Sequence, residues 1–202
     1  MTEKRKYTQK LRAEQQEETR RRIAEATAAL HQEIGPAQTT ISAIAERAGV
    51  ERLTVYRHFP TGRELLNACQ GHYLADHPPP NPAIWSDIAD VTHRLRAALT
   101  AIYGYHRETE AMTANILRDA PLMPELAEGL TERTAFFDGL RHQLAEGWDA
   151  PDEARQTLLA ALGHALDFET WRSLTRRQGL SDGQAVELMV RLVECVATQT
   201  EQ

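Results

Sequence analysis

The chain has 202 residues, with 23 Lys+Arg against 29 Asp+Glu, a net charge of -6, 42% hydrophobic residues and two cysteines. This composition excludes collagen-like, coiled-coil and disordered classes and leaves an ordinary globular chain, long enough to bury a core without disulfides or metal. The charge is uneven: residues 1–70 hold 12 Lys+Arg and 9 Asp+Glu, and residues 71–202 hold 11 and 20, so an acidic protein carries a basic first third. That asymmetry suits a polyanionic partner at the N-terminal end, although a solvated surface of uneven charge gives the same count.

Apolar residues recur at three and four throughout, as in Ile23, Thr27, Leu30 and Ile34, so an all-helical chain is expected. A first helix is predicted from near Leu11 to near Glu33. It ends at Gly35-Pro36, because glycine accepts the left-handed conformation past a helix end and proline cannot continue the ladder. The first ten residues read as a disordered basic arm. Thr39 and Thr40 offer N-cap hydroxyls to a short helix, Ile41 to Ala48, closed by Gly49. Arg52 to Phe59 form a third helix stopped by Pro60, and Thr61-Gly62-Arg63-Glu64 is a capping box opening a fourth. That helix must end before His77-Pro78-Pro79-Pro80-Asn81-Pro82. Further helices are predicted near 86–107, 109–118, 124–146, 152–177 and 181–198, the last opened by a second capping box, Ser181-Asp182-Gly183-Gln184.

Two short helices meeting at a glycine turn within a basic segment have the sequence form of a helix-turn-helix, whose second helix enters the major groove of DNA. Ile41, Ile44, Ala45, Ala48, Val50, Val55 and Phe59 supply its small core. The other side of the third helix gathers Arg52, Thr54, Tyr56, Arg57 and His58, which a merely structural helix has no need to do, although a polar surface helix is the competing reading.

The stretch Thr39 to Leu66, TTISAIAERAGVERLTVYRHFPTGRELL, closely resembles the signature of the TetR family of bacterial transcriptional regulators. Ile44-Ala45, the Ala48-Gly49-Val50 turn, Thr54 to Phe59 and Leu65-Leu66 all fall in register. The resemblance implies an N-terminal three-helix DNA-binding domain, residues 1–60, and a C-terminal helical ligand-binding and dimerisation domain, residues 61–202. It also implies a double-stranded DNA operator with two related half-sites. Carried over by position, the DNA-facing residues are Thr40 at the start of the second helix, Arg52, Thr54 and Arg57 toward base edges, and Tyr56 and His58 toward phosphates. Arg52 and Arg57 suit bidentate contacts with guanine O6 and N7, or phosphate contacts. Two positions depart from the pattern. Gly62 stands where many relatives carry lysine, leaving Arg63 as the nearby cation, and Glu51 stands where serine is common. The basic arm (Lys4, Arg5, Lys6, Lys10, Arg12) and the run Arg20-Arg21-Arg22 offer compensating phosphate contacts.

In the acidic remainder, Leu158, Leu159, Leu162, Leu166 and Leu174, with Val186, Leu188, Met189, Leu192, Val193 and Val196, are assigned to a homodimer through the last two helices, internal core being the alternative. A pocket for a small-molecule effector is expected among Tyr103, His106, Met112, Asn115, Phe136, Phe137, His164 and Trp171, residue types that serve equally well as core. No G-x-G-x-x-G, G-x-S-x-G, P-loop or H-E-x-x-H occurs, and no two histidines stand at i, i+4, so no enzyme, cofactor or metal is expected. Two lone cysteines, no export signal and no membrane-length apolar run lead us to expect a cytoplasmic protein. The favoured reading is a ligand-responsive repressor that leaves a palindromic operator when its effector binds. The alternatives are a helical small-molecule binder or enzyme with a vestigial DNA-binding motif, and a protein-interaction module using the basic face.

Overall fold

The computed structural model describes residues 2–149 and 152–198, and among the described residues every regular element is helical. The helices are α1 (Thr2–Glu33), α2 (Ile41–Ala48), α3 (Arg52–His58), α4 (Gly62–Asp76), α5 (Val91–Glu108), α6 (Glu110–Asp119), α7 (Pro124–Leu144), α8 (Asp152–Leu166), α9 (Phe168–Arg172) and α10 (Asp182–Thr198). The chain divides into two compact units: Met1–Pro78 with Ala111–Gly129, and Pro79–Glu110 with Leu130–Gln202. Among the described residues no helix is long and apolar enough to cross a membrane.

Three local expectations are corrected. The stretch read as a disordered arm continues α1, which starts at Thr2. Residues 2–20 contain no Gly or Pro and are rich in Gln, Glu, Lys and Arg, so helix propensity carries through them. The Lys4, Arg5 and Lys6 side chains lie outside the described residues. The fifth helix starts at Val91 rather than Ser86, because Asp90 caps it by accepting from the His93 N–H at 2.7 Å. The long helix expected over 152–177 breaks at Asp167, whose extended backbone and Oδ2, accepting from the Thr170 N–H at 2.9 Å, make it the N-cap of α9. A single π-helical turn, Ser173–Arg177, follows.

In the first unit, Ile23, Ala26 and Leu30 of α1 pack on Ile44, Ala45 and Ala48 of α2, Val55 of α3, Phe59 and Leu65 of α4. Ile41 and Val50 pack against this core half-buried. In the second unit, α10 turns Ala185, Val186, Met189, Val190, Val193 and Ala197 inward, and α8 and α5 are its main packing partners. The second capping box forms in full, and the first forms by its N-cap half. Thr61 Oγ1 accepts from the Glu64 N–H at 3.2 Å, and Ser181 and Gln184 exchange side-chain bonds with each other's N–H at 3.3 and 2.9 Å.

Candidate functional site

The reading head is built by the turn between α2 and α3. Gly49, at φ 63°, ψ 42°, gives its N–H to the Ala45 and Glu46 carbonyls, and the Val50 N–H closes back on the Ala45 carbonyl at 2.9 Å. This wraps the end of α2 in a left-handed cap that favours glycine. Thr40 opens the same helix, its Oγ1 accepting from the Ala43 N–H at 3.1 Å. Helix α2 is thus fixed at both ends, and the α3 backbone is fixed with it.

Helix α1 clamps this arrangement from behind. Arg22 donates to the Ala48 carbonyl and, at 3.3 Å, to the Gly49 carbonyl. Arg20 donates to the His58 carbonyl at 2.7 Å while its guanidinium lies 4.2 Å from the centre of the Phe59 ring. Each cation therefore meets the carbonyl end of a helix, where the macrodipole is negative. Arg21 pairs with Glu18 and Glu25. The basic run offered in the sequence as a source of phosphate contacts is spent largely within the protein, holding the ends of α2 and α3.

The solvent side of α3 presents Arg52, Leu53, Tyr56 and Arg57 exposed, with Thr54 and His58 half-buried. Among the described residues Arg52 and Arg57 form no ion pair, whereas Arg47, one helix earlier, is tied to Glu33 at 2.8 Å. Burial, together with Arg57 and Arg20, holds the His58 imidazole below its ordinary range, so it is neutral at pH 7. Glu51 is the N-cap of α3 without a side-chain cap bond. Gly62 is the first residue of α4 and faces open space, and Arg63 beside it is exposed. Leu53, 73% exposed in the middle of this polar edge, is a member of the face that the sequence reading did not include. Its signal is the helical register, which sets Leu53 and Val55 on opposite sides of one helix.

The link between α1 and α2 is held within the same unit. Asn115 donates to the His31 and Gln32 carbonyls at 3.0 and 2.9 Å, and Arg118 donates to the Ile34 carbonyl at 2.9 Å. Asp119 accepts from the Ala37 N–H at 3.0 Å. Met112 packs against Ala28 and Cys69, and the Cys69 thiol, pushed up to about 12 by burial, lies 3.5 Å from His31 Nδ1. The structure therefore places Met112 and Asn115, two expected pocket residues, in the packing and capping of the N-terminal helices.

Tyr103, His106, Phe136, Phe137 and Trp171 do come together in the second unit. The His106 ring lies 6.2 Å from Tyr103, 5.7 Å from Phe137 and 5.9 Å from Trp171, centre to centre, and Phe136 meets Phe137 edge-on at 5.3 Å. The break at Asp167 frees carbonyls at the end of α8. Tyr103 donates to that of Ala165 at 3.0 Å and His106 Nε2 to that of Leu166 at 3.1 Å. His164 is exposed and bonds Thr170 Oγ1 at 3.0 Å, outside the ring cluster.

Comparison with known proteins agrees with this geometry. Residues 23–69, which span the end of α1 through α4, match the model of bacterial regulatory proteins of the tetR family. The chain carries a DNA-binding domain of the TetR family. Among solved structures, a TetR-like regulator from Rhodococcus sp. RHA1 superposes with a TM-score of 0.61 at 17% identity, over 87% of this chain and 93% of that one. NalD of Pseudomonas aeruginosa, the secondary repressor of the MexAB-OprM multidrug efflux pump, superposes with a TM-score of 0.57 at 21% identity, over 93% of this chain and all of that one (100%). At these identities the structural likeness speaks for the fold. No curated protein matches the chain. Within that domain α3 holds Arg52, Thr54, Tyr56, Arg57 and His58, and Thr40 caps the helix before it.

Proposed function

We propose that this TetR-family transcriptional regulator is a dimeric repressor that binds a palindromic operator and releases it when a small molecule occupies the second unit. The observation that carries the reading is the unpaired, exposed arginine pair Arg52 and Arg57 on a helix whose two ends are locked by Gly49, Arg20 and Arg22. A charged side chain held ready on a rigid element, with no internal partner, suits recognition of base edges. Thr54, Tyr56, His58, Thr40 and Arg63 complete the contact set, toward bases for Thr54 and Thr40 and toward the backbone for the others.

One α3 reads one half-site, so a palindrome requires a second copy. The residues assigned to that contact from sequence divide in three, with Leu159, Leu174 and Val196 half-buried. Leu158, Leu162, Leu166, Val186, Met189 and Val193 are buried within the subunit, whereas Leu188 and Leu192 stay 38% and 49% exposed, one turn apart on the outer face of α10. An apolar pair displayed on a helix whose other face is already buried supports a partner helix there.

The effector reading is supported by the buried aromatic group around His106, and release follows if the effector binds better to a conformation with the recognition helices wrongly spaced. The test is electrophoretic mobility and fluorescence anisotropy with inverted repeats taken from the promoter nearest its own gene. We expect saturable binding that weakens steeply with salt. Equal affinity for every duplex, or none, ends the reading.

A further inference from the structure

His106 is fully buried, and its two ring nitrogens have different fates. Nε2 faces the Leu166 carbonyl at 3.1 Å; a carbonyl only accepts, so Nε2 carries the proton. Burial holds this imidazole at about 4, well below its free range, so the ring is neutral and Nδ1 is a bare lone pair. Nδ1 has no hydrogen-bond partner. A buried acceptor without a donor is costly and uncommon in a native protein.

Beside it sits a half-buried cation that no protein group answers. The Arg133 guanidinium lies 4.7 Å from the centre of the Phe137 ring, the same ring that packs 5.7 Å from His106. Burial weakens its hold on its proton, and it is close enough to His106 to disfavour charge there. Among the described residues no hydrogen bond or ion pair to Arg133 forms. The carboxylate in electrostatic reach, Asp167, is already engaged as the cap of α9. Tyr105, its phenol kept protonated by burial, completes the surroundings, with its ring 6.3 Å from that of His106. Five N–H donors and one lone pair, set among aromatic faces and left without protein partners, describe a ligand by its complement.

We propose that this group takes a small organic acid. Its carboxylate lies on the Arg133 guanidinium, a hydroxyl or N–H of the same molecule donates to His106 Nδ1, and its apolar body rests against Phe137 and Trp171. The inference deepens the effector reading above and rests on it for biological meaning, but the chemistry of binding stands separately. A planar carboxylate matches the guanidinium fork with two parallel bonds. A ligand lacking the acid leaves the cation unanswered, and one lacking the donor leaves Nδ1 unanswered.

The test is isothermal titration of the full-length chain with 4-hydroxybenzoate, 3-hydroxyphenylacetate and 3-hydroxyhexanoate, each beside its methyl ester. At least one acid is expected to saturate a single site per chain, and its ester to bind about 10- to 100-fold more weakly, the loss that follows from removing a charged hydrogen bond. Arg133→Gln is expected to lose affinity for the acid by a similar factor and to leave the ester unchanged, and Arg133→Lys to recover part of it. His106→Phe is expected to weaken only ligands that carry the donor. Failure of all three acids to bind, equal binding of acid and ester, or full affinity in Arg133→Gln overturns the proposal. If that variant fails to fold, the acid and ester comparison on the natural chain decides. Operator release is measured alongside. An acid that binds as described yet leaves the operator complex intact supports the site and defeats the repressor mechanism instead.

Discussion

Arg57 and Arg52 stand at the residue scale as the two groups on which the proposed sequence discrimination rests. Replacing either by alanine should cost about 1–3 kcal/mol in operator binding and relax the preference at one base pair of each half-site, which binding to single-substituted operators measures. Gly62 points the other way. It opens α4 with nothing around the place where a Cβ would stand, so Gly62→Lys should fit without strain and add one phosphate contact per subunit. Operator affinity should rise at low salt, and the slope of log K against log salt should steepen by about 0.9 for each phosphate newly neutralised. An unchanged slope defeats that assignment. Gly35 cannot be substituted in this way. Its φ is 92°, and an added Cβ would run into the Arg118 guanidinium and the Asp119 carboxylate. Gly35→Ala should therefore lower stability by about 1–3 kcal/mol in a denaturant titration.

Elements show how short-range chemistry and long-range contacts share the work. The starts of α2, α4, α5 and α10 are set by cap side chains that accept from an N–H three residues on, and at Thr40, Thr61 and Ser181 the pattern is legible in the order of residues alone. The same chemistry at Asp90 and Asp167 is masked in the sequence, because the apolar period runs straight through both positions. The break at Asp167 matters, since it frees the carbonyls that Tyr103 and His106 occupy. Asp167→Ala should cost about 1 kcal/mol through the lost cap. It should also change the fluorescence of Trp171 inside α9, and unaltered emission argues against a packed link between the cap and the ring cluster. On the outer face of α10, Leu188→Glu combined with Leu192→Glu should yield monomers in sedimentation velocity. A dimer that survives both changes moves the interface elsewhere.

At the scale of the whole molecule, two buried histidines give the protein an acid limit. His31 and His106 are both held at about 4 by burial, below the free value of 6.5. Asp119 acts on the first; Arg133 and Asp167 act on the second. Between pH 6.5 and about 4 the unfolded chain takes up protons that the folded chain refuses, so stability is full above this window and falls as pH drops through it. Thermal melts from about pH 7.5 down to about pH 5, above the range where most carboxylates take up protons, should show a falling midpoint. His106→Phe should flatten that fall in part, and a slope identical to that of the natural chain removes His106 as a cause.

The sequence by itself determined the helical class, the helix-turn-helix and the exposed edge from Arg52 to His58, because each depends on residues within one or two turns of one another. Distant residues decided the rest. Arg20 and Arg22 look like DNA-binding charges until the fold brings the carbonyl ends of α3 and α2 against them. Asn115 looks like a pocket residue until α6 meets the end of α1, which is 84 positions away in the chain. An apolar residue on a helix carries the same letter whether it faces its own core or a second copy. Only tertiary packing, by choosing which stripe to bury, left Leu188 and Leu192 outside and set His106 beside Arg133 through a shared aromatic ring.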